Sequence, residues 1–293
     1  MINSGISLPD KDGIITGLAL APQFMGDVQN NLATLKFFCE RASLAGVEVL
    51  LLPEMNLTGY PTRKEDLERC ALGLEEAISI MVPLASRWNL VLVAGFVERS
   101  EKRFFVTQLA LGPEGLLALY RKIHLGPPER PLYCAGDQTA SFMFKGMHFA
   151  IALCYDAHFP ELFSHLASQG VDVFLIPHAS PRTTPQEKKS SWLRHLSARA
   201  FDTGSYVLAV NPLGPDGAGK SFPGLALGLG PDGRIFGELA TDKPDLLVLN
   251  LHAERVKSLR SHPMTAFYCG RRPDLYMAWI REELETVFPP KIP

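Results

Sequence analysis

Residues 149–163 read FAIALCYDAHFPELF: an apolar run ends at Cys154 and a helix opens at Pro160. Proline suits the first turn of a helix, and Glu161 is favoured there by the helix dipole. The stretch is therefore predicted as a strand over 148–153, an elbow carrying a cysteine, and a helix over 160–169. Working outward, short aliphatic or β-branched runs predict strands over 14–21, 47–52, 90–97, 104–111, 116–121, 171–176, 206–210, 225–229, 234–239 and 246–251. Helical spacing places Leu32, Leu35, Cys39 and Ala42 on one stripe of a helix over 27–45, with further helices over 74–88 and 188–203. The turns GPEG (112–115) and GPDG (230–233) each sit between apolar runs and predict hairpins. Strands that alternate with helices early and pair as hairpins later predict an α/β fold with mixed sheets. Several strands are apolar on both faces, so helices should cover one face and a second sheet the other. No Ser/Gly-rich stretch or charge block divides the chain, which reads as one domain over 1–293, with a core of about 14–252 and a C-terminal arm over 253–293.

Composition narrows the function. The 293 residues are 46% hydrophobic and 20% charged, ordinary for a globular protein and unlike a disordered or coiled-coil chain. A formal charge of −2 gives no basic excess for a nucleic-acid partner. Runs such as VLLLP (49–53) and LVLVAGFV (90–97) are too short to span a membrane. The N-terminal MINSGISLPDKDG has neither the basic start nor the apolar core of a signal peptide. Five cysteines without a Cys-x-x-Cys pair suit a reducing compartment. A cytoplasmic protein is expected. The eight histidines show no His-x-x-x-His spacing, so neither a metal nor another cofactor is expected.

Three stretches put a reactive side chain at the end of a strand. In LLLPEMNLTGYP (50–61), Glu54 follows the strand over 47–52, a usual place for an acid or base, and Tyr60 shares its loop. In LYRKIHLGPPERPLY (119–133), Lys122 closes a strand and Glu129 lies seven residues on, where it could hold the ammonium. At the elbow, Cys154 should be exposed to substrate. An unperturbed thiol has a pKa of about 8.5, so a neighbouring ammonium is expected to lower it and leave Cys154 ionised. Each has a bland counterpart: a solvated loop carboxylate, a solvated lysine, and a buried structural cysteine. Cys39 and Cys70 are read in that last way. His178 and Arg182 follow the strand over 171–176, on the side where Cys154 emerges, and are candidates to touch substrate; Arg182 would suit a carboxylate.

PEMNLTGYP, YRKIHL and CYDAHFPE, in that order, resemble the nitrilase superfamily of carbon–nitrogen hydrolases around its Glu–Lys–Cys triad. PHASPR (177–182), VNPLG around Asn211, SFPGLALGLGPDG (221–233) and RRPDLY (271–276) extend the resemblance from about Ile14 to Tyr276. It implies a four-layer α-β-β-α sandwich and a homodimer, or higher homo-oligomer, that continues the sheets into an eight-layer stack. Carried over, Glu54 is the general base and acid, Lys122 the electrostatic partner and Cys154 the nucleophile, and Glu129 falls where many members carry a second glutamate. Tyr155 and Asp156 stand where true nitrilases have Trp-Glu, which points to the amidase-like branch. Ala157 and His158 replace a bulkier residue and an Arg or Trp beside the pocket. The substrate expected is a small linear amide, bordered by Tyr60, Tyr155, His158, His178 and Arg182. Alternatives are nitrile or N-carbamoyl hydrolysis with the same triad, a Cys–His–acid hydrolase using His158 or His178, an N-acyltransferase, and a non-catalytic binding protein on the same fold. RRPD (271–274) reads as an interface anchor.

Overall fold

The computed structural model describes residues 13–181 and 184–287; the first twelve residues of the N-terminal stretch and Arg182 lie outside them. In chain order come β1 (Ile14–Leu20), α1 (Val28–Leu44), β2 (Val49–Leu51), α2 (Lys64–Cys70), α3 (Leu74–Trp88), β3 (Val91–Ser100), β4 (Arg103–Gly112) and β5 (Gly115–Arg121). There follow β6 (Ala140–Phe144), β7 (Met147–Ile151), α4 (Pro160–Ser168), β8 (Val173–Pro177), α5 (Pro185–Leu193), α6 (Leu196–Thr203) and β9 (Tyr206–Asn211). The remainder is β10 (Gly214–Pro215), β11 (Ser221–Phe222), β12 (Leu225–Leu229), β13 (Ile235–Ala240), β14 (Asp245–Leu251), α7 (Ala253–Ser261) and α8 (Pro273–Thr286).

Two six-stranded mixed sheets run β14-β1-β2-β3-β4-β5 and β13-β12-β9-β8-β7-β6. Each has three parallel strands at its centre, β1-β2-β3 in one and β7-β8-β9 in the other, with antiparallel strands at both edges. The two predicted hairpins occupy matching places: GPEG joins β4 to β5 and GPDG joins β12 to β13. Three apolar layers hold the sheets. One lies between them and includes Leu18, Leu51, Val93, Phe149, Leu175 and Leu208. A second packs the first sheet against α1 and α3 through Leu35, Phe38, Met81 and Leu84. The third packs the other sheet against α4, α5 and α6 through Phe163, Leu166, Trp192 and Leu196. The order is therefore α-β-β-α, with side chains buried on both faces of the parallel strands, as the doubly apolar strands require.

One predicted element is divided. The helix expected over 188–203 is α5 and α6, parted at Arg194–His195, where His195 has φ −123° and its N–H donates to Trp192 O at 3.1 Å. The bend lays the His195 ring on His158, with centroids 4.4 Å apart. Strand β6, helix α2 and the short β10–β11 pair had no sequence prediction. Beyond the second sheet, Arg260 of α7 bonds Asp172 Oδ1 at 3.0 Å and Ser205 Oγ at 2.8 Å, docking the arm. No described helix is long and apolar enough to cross a membrane.

The loop after β2 runs against the β1–α1 connection at Gly59, whose φ is +78°. A Cβ there would stand 2.6 Å from Met25 Cα and 2.8 Å from Phe24 O, and neither backbone atom can swing aside. Gly59→Ala should therefore destabilise the protein by about 2–4 kcal/mol through strain and overpacking, read as a lower urea midpoint at unchanged slope. An unchanged midpoint would show that this contact is not fixed.

Candidate active site

The parallel strands β2, β7 and β8 carry Glu54, Cys154 and His178 just past their ends, and the edge strand β5 carries Lys122. Glu54 follows β2, Lys122 follows β5, Cys154 follows β7, and His178 follows β8. The Lys122 ammonium donates to Glu54 Oε1 at 2.8 Å and to Glu129 Oε1 at 2.8 Å, and all three side chains are buried. Glu129 is held on every side. Its Oε1 also accepts from the Tyr60 hydroxyl at 3.3 Å, and its Oε2 from the Gly126 N–H at 2.6 Å. Glu54 is engaged through Oε1 alone, which leaves its second oxygen for chemistry.

The backbone around Glu54 is over-determined. Its N–H donates to His178 O at 3.1 Å, tying the ends of β2 and β8 across the two sheets. Asn56 Oδ1 accepts from Gly95 N at 2.8 Å and Thr58 Oγ1 from Val97 N at 3.0 Å. Lys122 N donates to Val106 O at 2.9 Å, and Gly136 N donates back to Lys122 O at 2.9 Å.

Cys154 begins a short 3₁₀ turn over Cys154–His158 at φ +38°, a left-handed conformation rare for a residue with a side chain. Asp156 holds that turn. Its carboxylate, fully buried, accepts from Leu153 N at 2.8 Å and Tyr120 OH at 2.8 Å on one oxygen. On the other it accepts from His124 N at 2.9 Å and lies 2.8 Å from His124 Nδ1. Tyr120 and His124 flank Lys122, so a single carboxylate fixes the cysteine elbow to the lysine's strand.

Electrostatics correct one expectation. Burial, with Glu54 next, pushes the Cys154 thiol up to about 12, and Lys122 and Lys188 only partly offset this. Cys154 is half-buried and protonated at rest, not exposed and ionised, because desolvation of the thiolate and two carboxylates outweigh the ammonium. Burial raises Glu54 to about 7, with Lys122 pulling it down and Glu129 pushing it up. Burial lowers Lys122, but Glu54, Glu129 and Cys154 together raise it well above the ordinary lysine range. The site thus holds a permanent cation, a carboxyl poised near neutrality and a thiol.

The other predicted residues divide. Tyr60 is buried with its hydroxyl spent on Glu129. Tyr155 is half-buried, its ring 5.4 Å from that of the exposed His158. His178 is buried, donates from Nδ1 to Ile176 O at 2.8 Å, packs its ring 4.3 Å from Trp192, and is kept neutral by burial. No histidine among the described residues hydrogen-bonds Cys154. Cys39 and Cys70 are buried, and desolvation raises them to about 12 and about 11. Arg182 lies outside the described residues.

Lys188 was not anticipated. The sequence TPQE (184–187) is a capping box, with Thr184 Oγ1 accepting from Glu187 N at 3.2 Å, so Lys188 and Trp192 fall four apart on one face of α5. That face is buried, which a start at Lys188 had concealed.

A family model described as carbon-nitrogen hydrolase matches residues 16–261. The chain belongs to that family. An (R)-stereoselective amidase of a Pseudomonas species is 27% identical over 221 residues, 75% of this chain and 78% of the relative. The N-carbamoylputrescine amidase of Solanum tuberosum is 26% identical, covering 92% of this chain and 96% of its own. Among solved structures, a variant of the amidase from Nesterenkonia sp. AN1, with the acetamide moiety of fluoroacetamide on its active site cysteine, superposes at TM-score 0.80. The two are 25% identical, and the match spans 93% of this chain and 99% of that one. The chain is thus a carbon–nitrogen hydrolase on the nitrilase-superfamily fold, amidase-like in its relatives.

The protonated thiol has a direct readout. The ultraviolet thiolate absorbance lost in Cys154→Ala should be absent between about pH 6 and 9, because the thiol titrates far above that range. A Cys154-dependent signal rising below about pH 8 would show an ionised resting nucleophile.

Proposed function

We propose that the chain hydrolyses a small linear amide to a carboxylate and ammonia through a thioester on Cys154. The observation that carries this reading is the Lys122 ammonium held at 2.8 Å by both Glu54 and Glu129 beside the Cys154 elbow. Glu54 takes the thiol proton as sulfur attacks the amide carbon. A thiol raised to about 12 beside a carboxyl near 7 does not ionise first, so proton transfer accompanies C–S bond formation. The oxyanion is stabilised by Lys122 and the Tyr155 N–H. Glu54 then protonates the leaving nitrogen, the thioester forms, and Glu54 activates water to release the acid. Lys122 stays charged throughout, so its role is electrostatic. Glu129, its oxygens occupied, positions Lys122. The amidase names of the relatives support an amide over a nitrile, as do Tyr155 and Asp156. An amide also develops an oxyanion, whereas a nitrile develops charge on nitrogen along a linear group. The expected homodimer is supported by Met277, Trp279, Ile280 and Leu284, which α8 leaves exposed.

Matched amide and nitrile pairs sharing one side chain, compared by kcat/KM for ammonia release, test the bond type. The amide should be turned over faster in each pair, and a faster nitrile across several pairs would replace this reading by nitrile hydrolysis. Lys122→Gln should lower kcat by about 10²–10³-fold with little change in KM. Near-normal kcat would remove Lys122 from the mechanism.

A further inference from the structure

Strand β4 points Val106 and Ala110 into the layer between the sheets, and Gln108, midway between them, points the same way. Its side chain is fully buried, and neither amide atom has a hydrogen-bond partner among the described residues. Buried polar groups are nearly always paired, so this amide calls for an explanation. Register sets Gln108 between Gly95 of β3 and Tyr120 of β5. Gly95 anchors the loop of the candidate base: its N–H donates to Asn56 Oδ1 at 2.8 Å, and its carbonyl accepts from Leu57 N at 3.0 Å. A Cβ on Gly95 would stand 2.1 Å from Gln108 Oε1 and 3.0 Å from Met55 N. The amide oxygen and the Met55 N–H therefore lie over the same bare Cα, which only glycine leaves open. Met55 directly follows Glu54, is fully buried and has φ +55°, a conformation that persists only where neighbours enforce it. Its N–H has no acceptor among the described residues. An unpaired buried donor thus lies beside an unpaired buried acceptor, and the torsion that turns a glutamine amide is soft. On the other side of Gln108, Tyr120 donates to Asp156, which holds the Cys154 elbow.

We propose that Gln108 is a positioning residue for Glu54: its amide oxygen takes the Met55 N–H across Gly95 and fixes the peptide that leaves the Glu54 Cα. The inference rests on the amidase reading, in which Glu54 is the base. Glu54 is bonded through Oε1 alone, so the backbone on either side decides where its second oxygen points. His178 O holds the N–H before it at 3.1 Å, and Gln108 holds the N–H after it. Gln108 exchanges no proton with substrate. Its effect belongs in the alignment of the base during proton transfer, and so in kcat rather than KM.

Gln108→Met keeps the length of the side chain and removes both polar atoms. Replacing an unpaired buried amide by an apolar group of similar shape is neutral or stabilising, so a residue with a packing role alone should be exchanged without loss. The positioning role predicts a split: the urea midpoint stays or rises, while kcat on butyramide falls by about 10- to 100-fold with KM little changed. Gln108→Leu should behave in the same way. A second measurement needs no turnover. With isotope-labelled methionine the chain gives only 8 backbone amide signals, and that of Met55 is assigned by its loss in Met55→Leu. In the wild type its proton shift should vary little with temperature, as for a hydrogen-bonded amide, and it should move upfield in Gln108→Met. Wild-type kcat in the variants, kcat and midpoint falling together, or a Met55 signal that is strongly temperature-dependent or unmoved by the substitution would overturn the assignment and leave the amidase reading intact. If no amide releases ammonia while nitriles do, the amidase reading fails, and the Met55 signal still decides the role of Gln108.

Discussion

Everything in the site follows from one buried ammonium shared by two buried carboxylates. Charges taken out of water are tolerated only when paired and hydrogen-bonded, and removing one partner of such a group typically costs about 3–5 kcal/mol. Lys122 cannot satisfy both Glu54 and Glu129 unless three segments distant in sequence are held to within a fraction of an ångström. The fold supplies that by carrying Glu54 just past β2 and Lys122 just past β5 and locking each loop with its own hydrogen bonds. Glu129, with Tyr60 and Gly126 occupying it, is the fixed counterion. Glu54, bonded through one oxygen, is the one with freedom to act. The two chemically identical side chains differ only in how many donors surround them.

The same burial that strengthens the ion cluster holds the thiol proton on Cys154. In the proposed mechanism nucleophilicity depends on the approach of an electrophile and on Glu54 as the base, rather than on a standing thiolate. This explains why the elbow is built with such rigidity. Cys154 is held in a left-handed conformation, which costs about 1–3 kcal/mol. Asp156 supports it with contacts to both strands that flank the reaction. In the proposed mechanism, a cysteine that moved by an ångström would lose the alignment that proton transfer to Glu54 requires.

Much of this was legible in the sequence, where signals are local. Pro160 announced the elbow, GPEG and GPDG announced the two hairpins, and doubly apolar strands announced a sheet covered on both faces. Glu54, Lys122 and Cys154 each sat beside a strand end, with Glu129 seven residues past Lys122, and the structure joins Glu54, Lys122 and Glu129 directly. Local signals failed where packing decides. Strand β6 is a short edge strand with Met143 facing solvent, so its pattern is weak. Helix α2 is two turns of mostly charged residues that bury only Asp66, Leu67 and Cys70. The break at His195 goes with a contact between its ring and that of His158, which no window of sequence contains. Lys188 read as one more charge on a helix until the capping box at Thr184 fixed which face it occupies. The state of Cys154 was misjudged because proximity to a cation is visible in motifs, whereas desolvation is not.

The central claim is that burial and the shared ammonium poise Glu54 near neutrality to take the thiol proton. The pH dependence of kcat/KM for a neutral amide tests it most directly, since the acid limb reports the essential base of the free enzyme. A base raised to about 7 should make activity fall as pH drops through that value. An acid limb at the ordinary glutamate position of about 4.3, with full activity at about pH 5.5, would contradict the account.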